Sequence, residues 1–271
     1  MTKTILLTGA TDGIGFEAAK LLAAQGHTLL IHGRSTEKLA RTEKTLSEID
    51  GVGKIQSYRA DLSELADVQA MATSVAADHQ QIDVLINNAG IFKTAQPIAA
   101  NGIDVRFVVN TLAPYLLTRQ LLERIPADGR IVNLSSAAQA TVDYTALNGD
   151  ALLADNAAYA QSKLAITMWS AALAEELGAD GPVVVAVNPA SFLGSKMVKE
   201  AYGVPGNDIS IGADILVRAA LSDEFADATG RYYDNDNARF APPHADAQNA
   251  DNNRQLMGAV ESLLNKLSAA A

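Results

Sequence analysis

Cysteine is absent from the 271 residues. That excludes disulfides and thiolate-held metal, and it fits a reducing, cytoplasmic setting. Long apolar runs are missing too. The best is "VVVAV" at 183–187, far short of the roughly 20 residues a membrane-spanning helix needs. No integral membrane segment is expected. The amino terminus, "MTKTILLTGA", has one lysine and then a strand-like run. It lacks the apolar core and small-residue cleavage site of a secretory leader. Positive charge is in deficit, with 21 Lys and Arg against 31 Asp and Glu, net −10. Phosphate backbones want a basic face, so nucleic acid is not an expected partner. The histidines at 27, 32, 79 and 244 are scattered. They read as surface or strand-end residues and offer no metal site. No Pro/Gly/Ser-rich linker interrupts the chain before the polar stretch at 234–253.

What is present is an alternation. "KTILLT" (3–8), "TLLIHG" (28–33), "KIQSYR" (54–59), "DVLINN" (83–88), "RIVNLS" (130–135) and "PVVVAV" (182–187) are short apolar runs. Such runs suit parallel strands buried on both faces. "GRYYD" (230–234) adds an edge strand. Helical patterns lie between them, near 14–25, 36–49, 64–79, 101–125 and 157–178, with a last apolar stripe over 254–267. The pattern predicts an α/β fold: one doubly wound, Rossmann-type, mostly parallel seven-stranded sheet with helices on both faces. Residues 1–271 are expected to form one domain, with 234–271 as a C-terminal extension.

The first strand runs into a glycine-rich turn, "TGATDGIG". Glycine serves where backbone takes positive φ or approaches a ligand closely. The helix that follows aims its unsatisfied amides at an anion, as a pyrophosphate site requires. Gly9, Thr11, Asp12, Gly13, Ile14 and Gly15 are the candidate residues. The second strand ends in "IHGRS". An acid there would hold ribose hydroxyls; Arg34 suits a 2′-phosphate instead. NADP(H) is therefore preferred, with NAD(H) possible. Asp61 and Leu62 follow the third strand and are candidates for the adenine edge. Asn88, Ala89 and Gly90, in "NNAG" after the fourth strand, are candidates for the cofactor ribose.

Tyr159 precedes Lys163 by four residues in "YAQSK". On a helix the two stand one above the other, about 6 Å apart in rise. A phenol titrates near pH 10. A neighbouring ammonium favours phenolate, and a two-unit shift represents about 2.7 kcal/mol. The pair can exchange a proton with a carbonyl or alcohol oxygen. Asn110 lies four residues before Pro114 in an apparent helix. Proline donates no N–H, so a kink that leaves the Asn110 carbonyl open to a water is expected. Ser135 and Ser136 end the fifth strand; alternation makes one of them face the crevice.

Taken together, "TGATDGIG", "NNAG", "IVNLSS" and "YAQSK" occur in order over roughly 3–191 and resemble the short-chain dehydrogenase/reductase family. "YAQSKLA" and the long stretch before Tyr159 resemble its retinol-dehydrogenase-like branch, which commonly uses NADP(H). The resemblance implies that Tyr159 is the proton donor or acceptor. It implies that Lys163 perturbs the tyrosine and holds nicotinamide ribose, that Ser136 bonds the substrate oxygen, and that Asn110 joins a proton relay. "NPASFLGSKMV" (188–198) resembles the segment that touches the carboxamide, with Pro189 and Ser191 as contacts. Here Ala190 replaces the usual glycine, and Ser195 stands for the usual threonine.

The expected activity is interconversion of an alcohol and a ketone or aldehyde by hydride transfer. A non-catalytic dinucleotide-binding sensor or scaffold is an alternative, as is a sugar-nucleotide epimerase or dehydratase. The loops 137–158 and 193–210 are candidate substrate lids. Tyr144, Leu147, Leu152 and Leu153 hint at a small or lipophilic substrate, and Asp143, Asp150 and Asp155 argue against an anionic one. The helices at 101–125 and 157–178 are apolar around much of their circumference, which predicts a homodimer or homotetramer.

Overall fold

A computed structural model describes residues 2–269, apart from the side chains of Ala201 and Tyr202. Met1, Ala270 and Ala271 lie outside the described residues. Eight strands form one sheet: β1 (Thr4–Leu7), β2 (Thr28–Gly33), β3 (Ile55–Arg59), β4 (Val84–Asn87), β5 (Arg130–Leu134), β6 (Val183–Asn188), β7 (Tyr232–Asp234) and β8 (Arg239–Phe240). Their order is β3-β2-β1-β4-β5-β6-β7-β8. All neighbours are parallel except β7 and β8, which pair antiparallel. The sheet thus has one strand more than the sequence suggests. "GRYYD" is not its edge, because the polar stretch after it turns back as a hairpin and adds β8.

Strand side chains alternate between two buried layers, as the pleat dictates. Leu6, Leu30, Leu85, Ile131 and Val184 face one core. Ile5, Leu29, Ile31, Ile86, Val132 and Val185 face the other. The second core is closed by α1 (Gly13–Ala23), α2 (Thr36–Ser47) and α9 (Ser210–Leu221). Helix α9 was not among the predicted helices. Its buried stripe is mostly small, with Gly212, Ala213, Ala219 and Ala220 beside Ile215 and Leu216, and small residues give a weak apolar period. The stripe lets α9 pack closely on α1: a Cβ on Gly212 would stand 3.1 Å from Ile14 Cγ1.

The first core is closed by α3 (Leu65–Asp78), a composite helix, and α7 (Asp155–Leu177). The composite helix runs through α4 (Val105–Phe107), a π-helical turn (Val108–Leu112) and α5 (Ala113–Leu121). The short α6 (Tyr144–Leu147) and α8 (Lys196–Tyr202) lie in the two long loops. Helix α10 (Ala250–Ala269) buries Leu256, Val260, Leu263 and Leu264 in the first core. Tyr115 of α5 donates its hydroxyl to Glu261 of α10. Arg119 binds Glu261 at 2.7 Å, and Arg254 binds Glu175 of α7 at 2.7 Å. Helix α10 therefore covers part of the apolar surface of α7, and the bonds of Tyr115 and Arg119 tie it to α5.

Strand order reverses between β1 and β4, where connections leave to opposite faces. In such sheets the ligand crevice lies at the carboxyl ends of the strands beside that reversal.

Candidate active site

The glycine turn starts at that crevice. Gly9 has φ 68°, and a Cβ there would stand 2.9 Å from Ala89 Cα. At Gly15 a Cβ would fall 2.2 Å from the Gly9 oxygen. No other residue fits either place. Thr8 Oγ1 accepts from the N–H groups of Asn88 (3.0 Å) and Ala89 (3.1 Å). Asn88 Nδ2 donates to the carbonyls of Thr8 (2.8 Å) and Gly9 (3.2 Å). The Asn88 side chain is thus spent on joining the two turns. Asp12 caps α1 through Gly13 N–H at 2.9 Å and pairs with Lys38 at 3.0 Å. Thr11 packs on Gly33, where a Cβ would meet its Cγ2 at 2.6 Å.

The place of His32 beside the glycine turn was not evident from the sequence. It is 3% exposed at the end of β2, not on the surface. His27 is likewise buried. His32 Nδ1 accepts from Gly9 N–H at 3.1 Å, and Nε2 lies 3.1 Å from the Ala60 carbonyl. Only the neutral ring with its proton on Nε2 satisfies both. Burial pushes its pKa down from 6.5 to about 4, against the opposing pull of the Ala60 carbonyl and Asp61. One side chain therefore ties the glycine turn to the end of β3.

Arg34 is exposed just past β2. Burial works against ionisation of Asp61, yet its pKa is lowered by bonds from Ser63 and by the charge of Arg34. The Asp61 carboxylate accepts from Ser63 N–H (3.0 Å) and Ser63 Oγ (2.7 Å). Leu62 sends its side chain into the core.

At the chemical end, Lys163 is 4% exposed. It reaches inward from α7, and Nζ donates to the Leu134 carbonyl at 2.7 Å. Burial lowers its pKa from 10.5 to about 8. Nζ lies 5.8 Å from the centroid of the Tyr159 ring. Tyr159 is half-buried and stacks at a tilt on Phe92, with centroids 4.7 Å apart. Gly90 is bare beside these groups: a Cβ there would be 3.3 Å from Asn110 Oδ1 and 3.4 Å from Lys163 Nζ.

Asn110 sits inside the π-helical turn, a feature frequent at functional sites. The Ala113 N–H donates to the carbonyl of Val108, five residues back. This π-helical turn ends just before Pro114, which lies in the first turn of α5. Asn110 Oδ1 accepts from Ile91 N–H, and Nδ2 donates to the Ile91 carbonyl, both at 2.9 Å; Nδ2 also reaches Ser162 Oγ at 3.0 Å. The side chain clamps the chain just after "NNAG" onto α7. Strand alternation separates the serines. Ser135 Oγ is buried against α7, bonded to the Lys163 carbonyl (3.1 Å) and Thr167 Oγ1 (2.6 Å). Ser136 is half-buried at the end of the sheet. Its Oγ accepts from Ala138 N–H at 3.1 Å, and Tyr232 donates to its carbonyl at 3.1 Å.

A buried charge network also escaped the sequence reading. Arg106, fully buried, is held by Asp104 at 2.6 Å and by Asp155 at the start of α7. It joins the helix of Asn110 to the helix of Tyr159 and Lys163. This corrects one argument about the mouth: Asp155 is engaged by Arg106, and Asp143 caps α6 through Thr145 N–H at 2.8 Å. The charge of Asp155 is therefore paired and is not spare for repelling anions. Leu147 is buried, and Tyr144 and Leu153 pack on the core. Of the four apolar residues taken to shape the mouth, Leu152 alone is exposed, at 79%. After β6, Pro189 is buried, while Ser191 N–H and Oγ both donate to Asp236 at 2.7 Å. Ser195 caps α8 through Val198 N–H at 3.3 Å.

The residues present fit a dinucleotide. The tight turn at Gly9 and Gly15 leads straight into a helix amino terminus. A cleft of about 370 Å³ opens there, lined by Asp12, Gly13, Phe16, Gly194, Ser195 and Lys196 among others. The bare backbone at Gly90 lies between that turn and Lys163.

Comparison with known proteins agrees with this geometry. The family model for short chain dehydrogenases matches residues 3–203. Human retinol dehydrogenase 13 is 29% identical over 263 residues, covering 90% of this chain and 80% of that protein. The chloroplastic short-chain dehydrogenase TIC 32 A of Brassica napus is 30% identical over 254 residues, covering 85% and 79%. Among solved structures, an uncharacterised protein from Mycobacterium paratuberculosis superposes with TM-score 0.79 at 26% identity, covering 96% of this chain and 92% of that one. A metagenomic short-chain oxidoreductase in complex with NADP gives TM-score 0.62 at 29% identity, covering 82% and 93%. The chain belongs to the short-chain dehydrogenase/reductase family, in its retinol-dehydrogenase-like branch.

Proposed function

We propose that the chain is an oxidoreductase that interconverts an alcohol and a ketone or aldehyde, acting as one catalytic unit with NADP(H) as the preferred cofactor. The observation that carries this reading is Lys163: a fully buried cation held on the Leu134 carbonyl beside bare Gly90, one helical turn from Tyr159. A cation is costly to bury without purpose.

A nicotinamide dinucleotide supplies or accepts the hydride. The residues of this chain do the rest. The turn at Gly9–Gly15 receives the pyrophosphate at the amino terminus of α1. Arg34 pairs with the 2′-phosphate. Lys163 holds ribose hydroxyls and, as a cation, favours ionisation of the Tyr159 hydroxyl. Tyr159 gives its proton to the developing alkoxide in reduction and takes it back in oxidation. Ser136 Oγ donates to the same substrate oxygen. Asn110 keeps "NNAG" and α7 in register. Phe92 and exposed Leu152 favour a small or lipophilic substrate.

Tyr159→Phe tests the chemistry. Turnover on a carbonyl panel, followed at 340 nm, is expected to fall at least roughly 100-fold, while NADPH affinity stays within about threefold. A phenylalanine variant as active as the parent refutes the assignment. If the parent binds NADPH but reduces nothing in the panel, the sensor reading takes its place. Arg34→Asp is expected to move the ratio of NADPH to NADH affinity toward NADH; an unchanged ratio removes the NADP preference.

A further inference from the structure

The loop that leaves β6 adopts backbone that L-residues avoid. Ala190 has φ 112° and Phe192 has φ 53°. Ala190 stands where the family resemblance leads one to expect glycine, so its Cβ adds strain at that position. Strain of this kind persists only where the surroundings over-determine it.

The surroundings here are the hairpin between β7 and β8. The Asp236 carboxylate accepts from Ser191 N–H (2.7 Å), Ser191 Oγ (2.7 Å) and Asn188 Nδ2 (2.9 Å). Asn188 Nδ2 also donates to Asp234 at 3.0 Å. Asn235 Nδ2 donates to the Pro189 carbonyl at 3.0 Å, and its N–H donates to the Asn188 carbonyl at 3.2 Å. Three consecutive hairpin residues thus grip one strained loop. The turn itself is closed by Asp234, which accepts from Asp236 N–H at 3.1 Å and from Asn237 Nδ2 at 2.7 Å. The Asp236 carboxylate is therefore not needed to form the hairpin. It is directed at the loop.

We propose that Asp236 is a positioning residue that latches the strained Asn188–Phe192 loop in the shape that receives the nicotinamide end of the dinucleotide. The inference rests on the cofactor reading above. Burial opposes ionisation of Asp236, but bonds from Ser191 and Asn188 hold its pKa below the ordinary carboxylate range. The latch is an anion gripping three donors, and a neutral side chain does not replace it.

The test uses the full chain, NADPH, and 2′,5′-ADP, which carries the adenosine half without nicotinamide. NADH and ADP serve if the parent prefers them. Asp236→Ala is expected to weaken NADPH binding about tenfold while 2′,5′-ADP stays within about twofold. Ala190→Gly relieves the strain and so makes the latch redundant. Asp236→Ala added to Ala190→Gly is expected to cost less than about threefold, a non-additive pair. Unchanged NADPH affinity in Asp236→Ala overturns the latch, as does equal loss for both ligands or a full additive loss in the double variant. A parent that binds neither ligand overturns the cofactor reading and this inference with it; a parent that binds both leaves the latch to be judged on Asp236 alone.

Discussion

His32 provides a pH-dependent handle on the cofactor end that can be calculated in advance. In the folded chain its pKa falls from 6.5 to about 4, because the ring is buried and its Nδ1 must remain an acceptor for Gly9 N–H. The sign follows from proton counting. Above pH 6.5 the ring is neutral in both states and contributes no pH dependence. Between 6.5 and 4 the unfolded chain binds a proton that the folded chain refuses, so stability falls as pH falls. The window spans about two and a half units, which amounts to on the order of 3 kcal/mol at its lower end. His32→Asn does not titrate. Its carboxamide oxygen falls roughly where Nδ1 lies, so Gly9 keeps an acceptor while the Ala60 carbonyl loses a donor. His32→Gln does the reverse. Denaturant unfolding at several values between pH 7.5 and 4.5 isolates the ring, since every other titrating group is shared between parent and variant. The parent-minus-Asn difference is expected to shrink steadily on acidification. At neutral pH, His32→Gln orphans the Gly9 amide, which costs about 1–3 kcal/mol; dinucleotide affinity is expected to suffer more in that variant than in His32→Asn. Parallel unfolding curves across the window would refute the enforced tautomer, and equal affinities in the two variants would refute its link to the glycine turn.

Lys163→Met is expected to lose reduction by roughly 100-fold or more yet keep or gain thermal stability, because burial of the ammonium depresses its pKa to about 8 and so disfavours the charged form. Loss of activity accompanied by a large drop in Tm would mean that the lysine acts as scaffold. Leu256→Ala on α10 removes a fully buried side chain and is expected to cost about 2–5 kcal/mol. The single tryptophan, Trp169, lies edge-on to Tyr115 at 5.4 Å between centroids, so its emission should report looser docking of α10. A spectrum and stability matching the parent would count against the packing described here.

Much of this was legible from local pattern. β2 begins and ends where its apolar run does, and the other early strands differ by a residue or two, because a strand buried on both faces is continuous in sequence. The glycine turn was legible because its steric demand is local. What escaped depends on distance. His32 looked like a strand-end residue, and only pairing of β2 with β1 and β3 brings it between Gly9 and Ala60. Arg106 and Asp155 are 49 positions apart. Apolar Leu147 and Leu153 pointed to a substrate mouth, yet they pack inward, since sequence does not say which side of a loop faces solvent. The hairpin of Asp234–Asp236 read as a polar surface crossing; its partner, the loop after β6, lies 45 residues away from Asp236.

The same blindness to distance explains the second subunit. Helices α5 and α7 carry more apolar surface than one sheet face can cover, and that inference from composition was sound. The choice of occupant was not available from the two helices alone. Four side chains of α10, Leu256, Val260, Leu263 and Leu264, take up part of that surplus by packing into the core beside α7. Charge closes the rim: Glu261 takes Tyr115 and Arg119 of α5, and Arg254 takes Glu175 of α7. An intramolecular helix has an advantage that a second copy lacks, because its effective concentration does not fall on dilution. A second copy could use this face only by displacing α10, which would re-expose that apolar stripe and break those ion pairs. The face of α7 that α10 occupies is therefore open to a second copy only if α10 moves.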